Sequence, residues 1–154
     1  MALTKVQSEM AGAGQVLQVV QGTFASGITT NSSTFSDTGL NVSITPKFAT
    51  SKILVQVIIP GCSKYSTNNV LQIKLQRAGS DLLYIDTFAA YTGDTSNSAV
   101  GTCASIYLDN PATTSTINYK VQYRSQNSGG TVYICDSGNG YIPTASITLT
   151  EIAA

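Results

Sequence analysis

Eight carboxylates, three thiols and no histidine set the chemistry open to this chain. Without imidazole there is no Ser-His-Asp or Cys-His nucleophile, and no His-ligated metal site. The acids are Glu9, Asp37, Asp81, Asp86, Asp94, Asp109, Asp136 and Glu151. Glycoside hydrolysis needs two carboxylates facing each other across a bond, one with a raised pKa. Asp81 and Asp86 flank one strand at opposite phase, so they point to different sides of it. Asp37, Asp94, Asp109 and Asp136 fall in turn-like stretches, where Asp caps the backbone. Asp136-Ser-Gly-Asn-Gly140 has the outline of a calcium loop without its closing carboxylate, because the next acid is Glu151. Cys62, Cys103 and Cys135 form no CxxC pair. They read as three free thiols acting as small apolar side chains, with a Cys103–Cys135 bridge as the alternative. No catalytic, cofactor-binding or metal-binding residue is predicted, and the chain reads as non-enzymatic.

What must position these residues is one domain of 154 residues. Charged residues make up 10%, against roughly 25% in ordinary soluble domains, and Ser plus Thr fill about a quarter of the chain. Eight basic residues cancel eight acidic ones, which removes the electrostatic case for a nucleic-acid or anionic-membrane partner. The first ten residues lack the apolar core of a secretory signal, and no apolar run is long enough to cross a bilayer. Synthesis in a cytoplasm is expected.

From Gln15 onward the pattern has period two. Leu40, Val42 and Ile44 alternate with polar residues, as do Leu71, Ile73 and Leu75. The run Ile117, Tyr119, Val121, Tyr123 and the pair Ile147, Leu149 do the same. Half-buried strands give this signature. About nine or ten are expected, centred near 16–24, 40–45, 52–59, 70–77, 82–88, 99–108, 116–125, 131–135 and 144–152. Gly, Pro, Asn, Asp and Ser clusters between them supply reversing turns. The fold class is all-β, an antiparallel β-sandwich over residues 15–154 behind an N-terminal arm of residues 1–14.

The run from Ser51 to Pro60 is apolar at both phases, which predicts a strand whose second face is covered by the core or by another subunit. Tyr84, Tyr107 and Tyr133 fall on the phase opposite the core-facing pairs Leu83/Ile85, Ile106/Leu108 and Val132/Ile134. Tyrosine suits subunit interfaces because it combines area with a hydroxyl partner. Leu54, Ile58, Tyr84, Tyr107 and Tyr133 are therefore the candidate oligomer interface. Leu3, Val6 and Met10 are the candidate apolar contacts of the attachment arm. Loops 63–70 and 91–98 are rich in Asn, Ser, Thr and Tyr, the adaptable composition of recognition surfaces.

Three segments carry a resemblance. Phe35-Ser-Asp-Thr-Gly-Leu40 leads into Val42-Ser-Ile-Thr-Pro-Lys47 and Ser51-Lys-Ile-Leu-Val55. Later come Leu108-Asp-Asn-Pro-Ala-Thr-Thr-Ser115 with Tyr119-Lys-Val-Gln122, and then Ala145-Ser-Ile-Thr-Leu-Thr-Glu-Ile152. This order resembles small β-sandwich virion proteins of tailed bacteriophages, of head-decoration or fibre type and frequent in aquatic phages. Met1-Ala-Leu-Thr-Lys-Val6 is similar to the start of phage tail-fibre and tailspike chains. The resemblance implies a jelly-roll-like sandwich, similar to tumour-necrosis-factor-like trimers, and a virion location after synthesis in the host bacterial cytoplasm. It implies a homotrimeric capsid decoration (cement) protein or head-fibre knob, with the major capsid or appendage proteins as partners. The alternative is a tail-fibre or appendage tip that binds a host receptor or glycan.

Overall fold

The computed structural model describes residues 12–138 and 140–154, apart from the side chains of Ser98 and Val100. Ten strands follow in chain order: β1 (Val16–Phe24), β2 (Ile28–Thr30), β3 (Ser36–Ile44), β4 (Lys52–Tyr65) and β5 (Leu71–Arg77). Then come β6 (Ser80–Ala89), β7 (Asn97–Asp109), β8 (Ile117–Ser125), β9 (Val132–Ile134) and β10 (Ala145–Ile152). All described pairings are antiparallel. The eight long strands form two facing sheets, β1-β10-β4-β7 and β3-β8-β5-β6. The chain changes sheet at every connection between them except the β5–β6 hairpin, which is the jelly-roll order. The short β2 and β9 extend the first sheet alongside the far end of β4.

Alternation drives this arrangement. β8 and β10 bury every second residue along their whole length. Ile53, Val55, Val57 and Ile59 of β4 meet Leu71, Ile73 and Leu75 of β5 within one core. At one side of the sandwich β1 closes on β3 so tightly that a Cβ at Gly22 would strike the Asn41 carbonyl.

Polar groups clip the sandwich at its corners. Glu151 is fully buried, accepting from Gln18 Nε2 and from the Lys47 N–H at 2.7 Å. Burial alone would raise its carboxyl, but Gln18 and the 47–48 backbone N–H groups outweigh that and hold it below the usual carboxylate range. Asp109 was expected to cap a turn. It is instead buried, accepting both Arg77 Nη1–H bonds and the Tyr119 hydroxyl.

Among the described residues Ser51 Oγ and Lys64 Nζ are buried without a hydrogen-bond partner, and the ammonium is the costlier of the two. Lys64 is fully buried, with its ammonium 5.6 Å from the Tyr91 ring centroid and no hydrogen-bond acceptor among the described residues. A cation–π contact offsets only part of its desolvation. Lys64→Met keeps the stem and removes the head. It is expected to stabilise the fold by about 1–3 kcal/mol, read as a higher thermal or urea midpoint. A lowered midpoint would show that the ammonium is satisfied in solution.

Candidate functional site

The site is a surface, built by cross-strand register. In the first sheet Val19, Thr150, Leu54 and Leu108 stand opposite one another in a row across four strands. The next row is Gln21, Thr148, Gln56 and Ile106, and the next Thr23, Ser146, Ile58 and Ala104. Residues directly opposite in a ladder share a face. These rows lie on the face away from the core, because Ile53, Val55 and Val57 occupy the other phase of β4.

The aliphatic members are open. Val19, Ile58 and Leu108 are 57, 49 and 49% exposed, and Ile106 is 69% exposed. Among the described residues of these four strands, the formal charge on this face is Lys52 at one corner. By strand spacing and rise the patch covers several hundred Å². Six of its twelve positions are aliphatic and six are Thr, Ser or Gln, so the face is almost uncharged and half apolar. β7 also forms the free edge of this sheet, and no charged residue lies between Asn97 and Leu108 to discourage pairing with another chain.

The opposite outer face is of another kind. On the second sheet Lys120 pairs with Asp37 at 2.9 Å and Lys74 with Asp81 at 2.9 Å. Hydrogen bonds from Gln122 and Lys120 hold the Asp37 carboxyl below its ordinary range, and Lys74 with Gln76 does the same to Asp81. Phe35 roofs this network, 4.3 Å from the Lys74 ammonium and 4.7 Å from the Arg124 guanidinium.

The five predicted interface residues do not converge. Leu54 and Ile58 belong to the apolar rows. Tyr84 is 53% exposed but sits on the other sheet, with its ring 6.0 Å from Phe35. Tyr133 pairs with Tyr65 at 4.6 Å beyond the far end of the rows. Tyr107 is a correction: it lies on the inner phase of β7 with buried Cys103 and Asp109, while Ile106 and Leu108 turn outward. Alternation along the chain puts Ile106 and Leu108 on the core-facing phase, and in the structure they face out. Their facing is set by Leu54↔Leu108 pairing, which no local pattern carries. Leu3, Val6 and Met10 lie outside the described residues.

Among the described residues no acid is poised opposite another. Asp86 caps Phe88 N–H at 2.8 Å, and Asp136 accepts from Ser63 and Tyr65. Among the described residues no three Cys, Asp or Glu side chains group as metal ligands. The three thiols are free and buried. Cys103 beside it and burial together push the Cys62 thiol far up, and burial pushes up Cys135, so neither is a ready nucleophile.

No family model and no curated protein matches the chain. Among solved structures it is similar to the infectious bursal disease virus VP2 subviral particle, at 12% identity and a TM-score of 0.45. Chains from the same virus's Gt strain and from its T=1 particles give 11 and 13% identity, with TM-scores of 0.41 and 0.42. The whole of this chain is covered in each, but only 42, 41 and 41% of the other chain. Likeness of that degree defines neither a family nor a role.

Proposed function

We propose that this chain is a non-enzymatic structural protein of a virion, a jelly-roll subunit that assembles with copies of itself. The half-aliphatic, almost uncharged outer face of the β1-β10-β4-β7 sheet carries the reading. Its occupant is a second copy: rows without charge offer no field to steer a charged partner. With the free β7 edge beside them, the rows supply part of the roughly 800 Å² that each partner contributes to a standard interface. The jelly-roll order and the resemblance to phage virion proteins support the finer version, a homotrimeric decoration protein or head-fibre knob held on the particle by its N-terminal arm.

Light scattering or native mass spectrometry of the purified chain is expected to give a stable oligomer, three copies in the finer version. A monomer at every accessible concentration would overturn the reading. Removing residues 1–11 spares the bond from Gly14 N–H to the Ala153 carbonyl at 2.8 Å. The shortened chain is expected to keep its oligomer mass and lose attachment to particles. Full occupancy without the arm would remove the arm from the proposal and leave the interface standing.

A further inference from the structure

Beyond the apolar rows β4 is interrupted by register shifts between Pro60 and Ser63. There a groove of about 250 Å³ opens between the end of β4, the start of β7 and the 136–138 segment. Two charged residues line it, Lys64, whose ammonium is buried near the Tyr91 ring, and Asp136. Asp136 Oδ2 accepts from the Ser63 hydroxyl at 2.7 Å and the Tyr65 hydroxyl at 3.0 Å, and Oδ1 accepts the Gly138 N–H at 3.3 Å. Burial alone would raise this carboxyl, but the donors from Ser63, Tyr65 and the backbone outweigh it and keep it ionised at neutral pH. None of the ion pairs among the described residues involves Asp136.

The walls leave space for a ring. At Gly138 an added Cβ would meet nothing within 4 Å, and the same holds at Gly101. Gly61, at φ +63°, brings the chain so close to Asp136 that a Cβ there would lie 2.5 Å from its backbone N. Tyr65 is 42% exposed and braced edge-on by Tyr133. Asn97, exposed at the start of β7, adds an amide with both donor and acceptor atoms.

We infer that this groove binds one ring of a neutral sugar, with hydroxyls donating to Asp136 and exchanging hydrogen bonds with Asn97 while a C–H face lies against Tyr65. The lining contains no second carboxylate to hold a metal ion, and with the Lys64 ammonium buried the ionised Asp136 disfavours phosphate and acidic sugars. The volume falls below the roughly 300–1,000 Å³ of pockets that enclose larger ligands, which limits occupancy to one ring. Affinity for a single ring is expected on the order of 1 mM.

The test is saturation-transfer NMR on the full chain with methyl glycosides of glucose, galactose, mannose and N-acetylglucosamine, each titrated to tens of millimolar. At least one is expected to bind, with affinity reduced by about tenfold or more in both Asp136→Ala and Gly138→Leu. Gly138→Leu fills open space, so its thermal midpoint is expected to stay at the wild-type value even if Asp136→Ala loosens the groove. Absence of binding to all four glycosides overturns the inference, as does binding that survives Gly138→Leu. Binding of butylammonium with none of the sugars also overturns it, making the groove a cation site. Ile106→Glu is expected to leave sugar binding unchanged, which separates this inference from the assembly proposal.

Discussion

Ile106→Glu is expected to convert the assembled protein to monomer at concentrations where the wild type is fully associated. Ile106 stands in the middle row, opposite Gln56, with Thr148 and Gln21 completing the line. In the isolated subunit its side chain is 69% exposed, so a carboxylate there meets water and folding changes by no more than about 0.5 kcal/mol. In an assembly the same carboxylate is buried against uncharged rows that offer no cation. The effective penalty for an unpaired buried ion is several kcal/mol, and a closed symmetric assembly repeats it in every subunit. About 4 kcal/mol weakens association about 1,000-fold. Light scattering reads the change in mass, and circular dichroism confirms that the subunit remains folded. Tyr84→Glu, on the outer face of the other sheet, is the control and is expected to keep the wild-type mass. If Ile106→Glu stays assembled, the face is not the interface. If Tyr84→Glu dissociates the protein, the interface lies on the opposite sheet.

The largest loss of fold stability is expected at Asp109. This carboxylate ends β7 in the first sheet and reaches two strands of the second. Arg77 Nη1 at the end of β5 donates to both its oxygens at 2.7 and 2.8 Å, and the Tyr119 hydroxyl on β8 donates at 2.6 Å. It clips the two sheets together below Leu108. Tyr119 is fully buried, and burial with Asp109 beside it pushes its phenol well above the ordinary range. Asp109→Ala leaves that hydroxyl buried without its acceptor and removes the partner of Arg77.

Loss of one member of a buried pair costs about 3–5 kcal/mol. The Arg77 side chain is 30% exposed and recovers some solvation, which lowers the expectation to about 3 kcal/mol. At roughly 2–4 °C per kcal/mol for a domain of this size, the thermal midpoint falls by about 6–12 °C. Tyr119→Phe removes one donor and leaves the Arg77 pair, so it is expected to cost about 1–1.5 kcal/mol. In a double-mutant cycle the two substitutions should combine to less than their sum, because they share one hydrogen bond. A loss below about 1 kcal/mol for Asp109→Ala would mean that the clip contributes little.

Most of the fold was legible locally. Ile117 to Ser125 and Ala145 to Ile152 announced β8 and β10 because their neighbours on each side are regular strands and their apolar residues sit on one phase only. The low charge and the doubly apolar Ser51–Pro60 run pointed to a covered second face, and Leu54 and Ile58 lie on the open face of the sheet. The groove at Asp136 was not legible, since Ser63 and Tyr65 lie about seventy residues away in the chain and reach it only through the interruption of β4.

The sequence by itself determined the period of each strand and the turns between strands, because both depend on residues within a few positions of one another. The tertiary structure alone decided which phase of β7 faces the core. Cys103, Ser105, Tyr107 and Asp109 go inward and Ala104, Ile106 and Leu108 outward, against the order of hydrophobicity. Strand phase is inherited from the partner in the ladder. β4 buries Ile53, Val55 and Val57, so whatever stands opposite Leu54, Gln56 and Ile58 must turn away from the core. Aliphatic residues thereby come to the surface in rows, and an apolar face that no strand pattern announces becomes the feature on which this protein's assembly is proposed to depend.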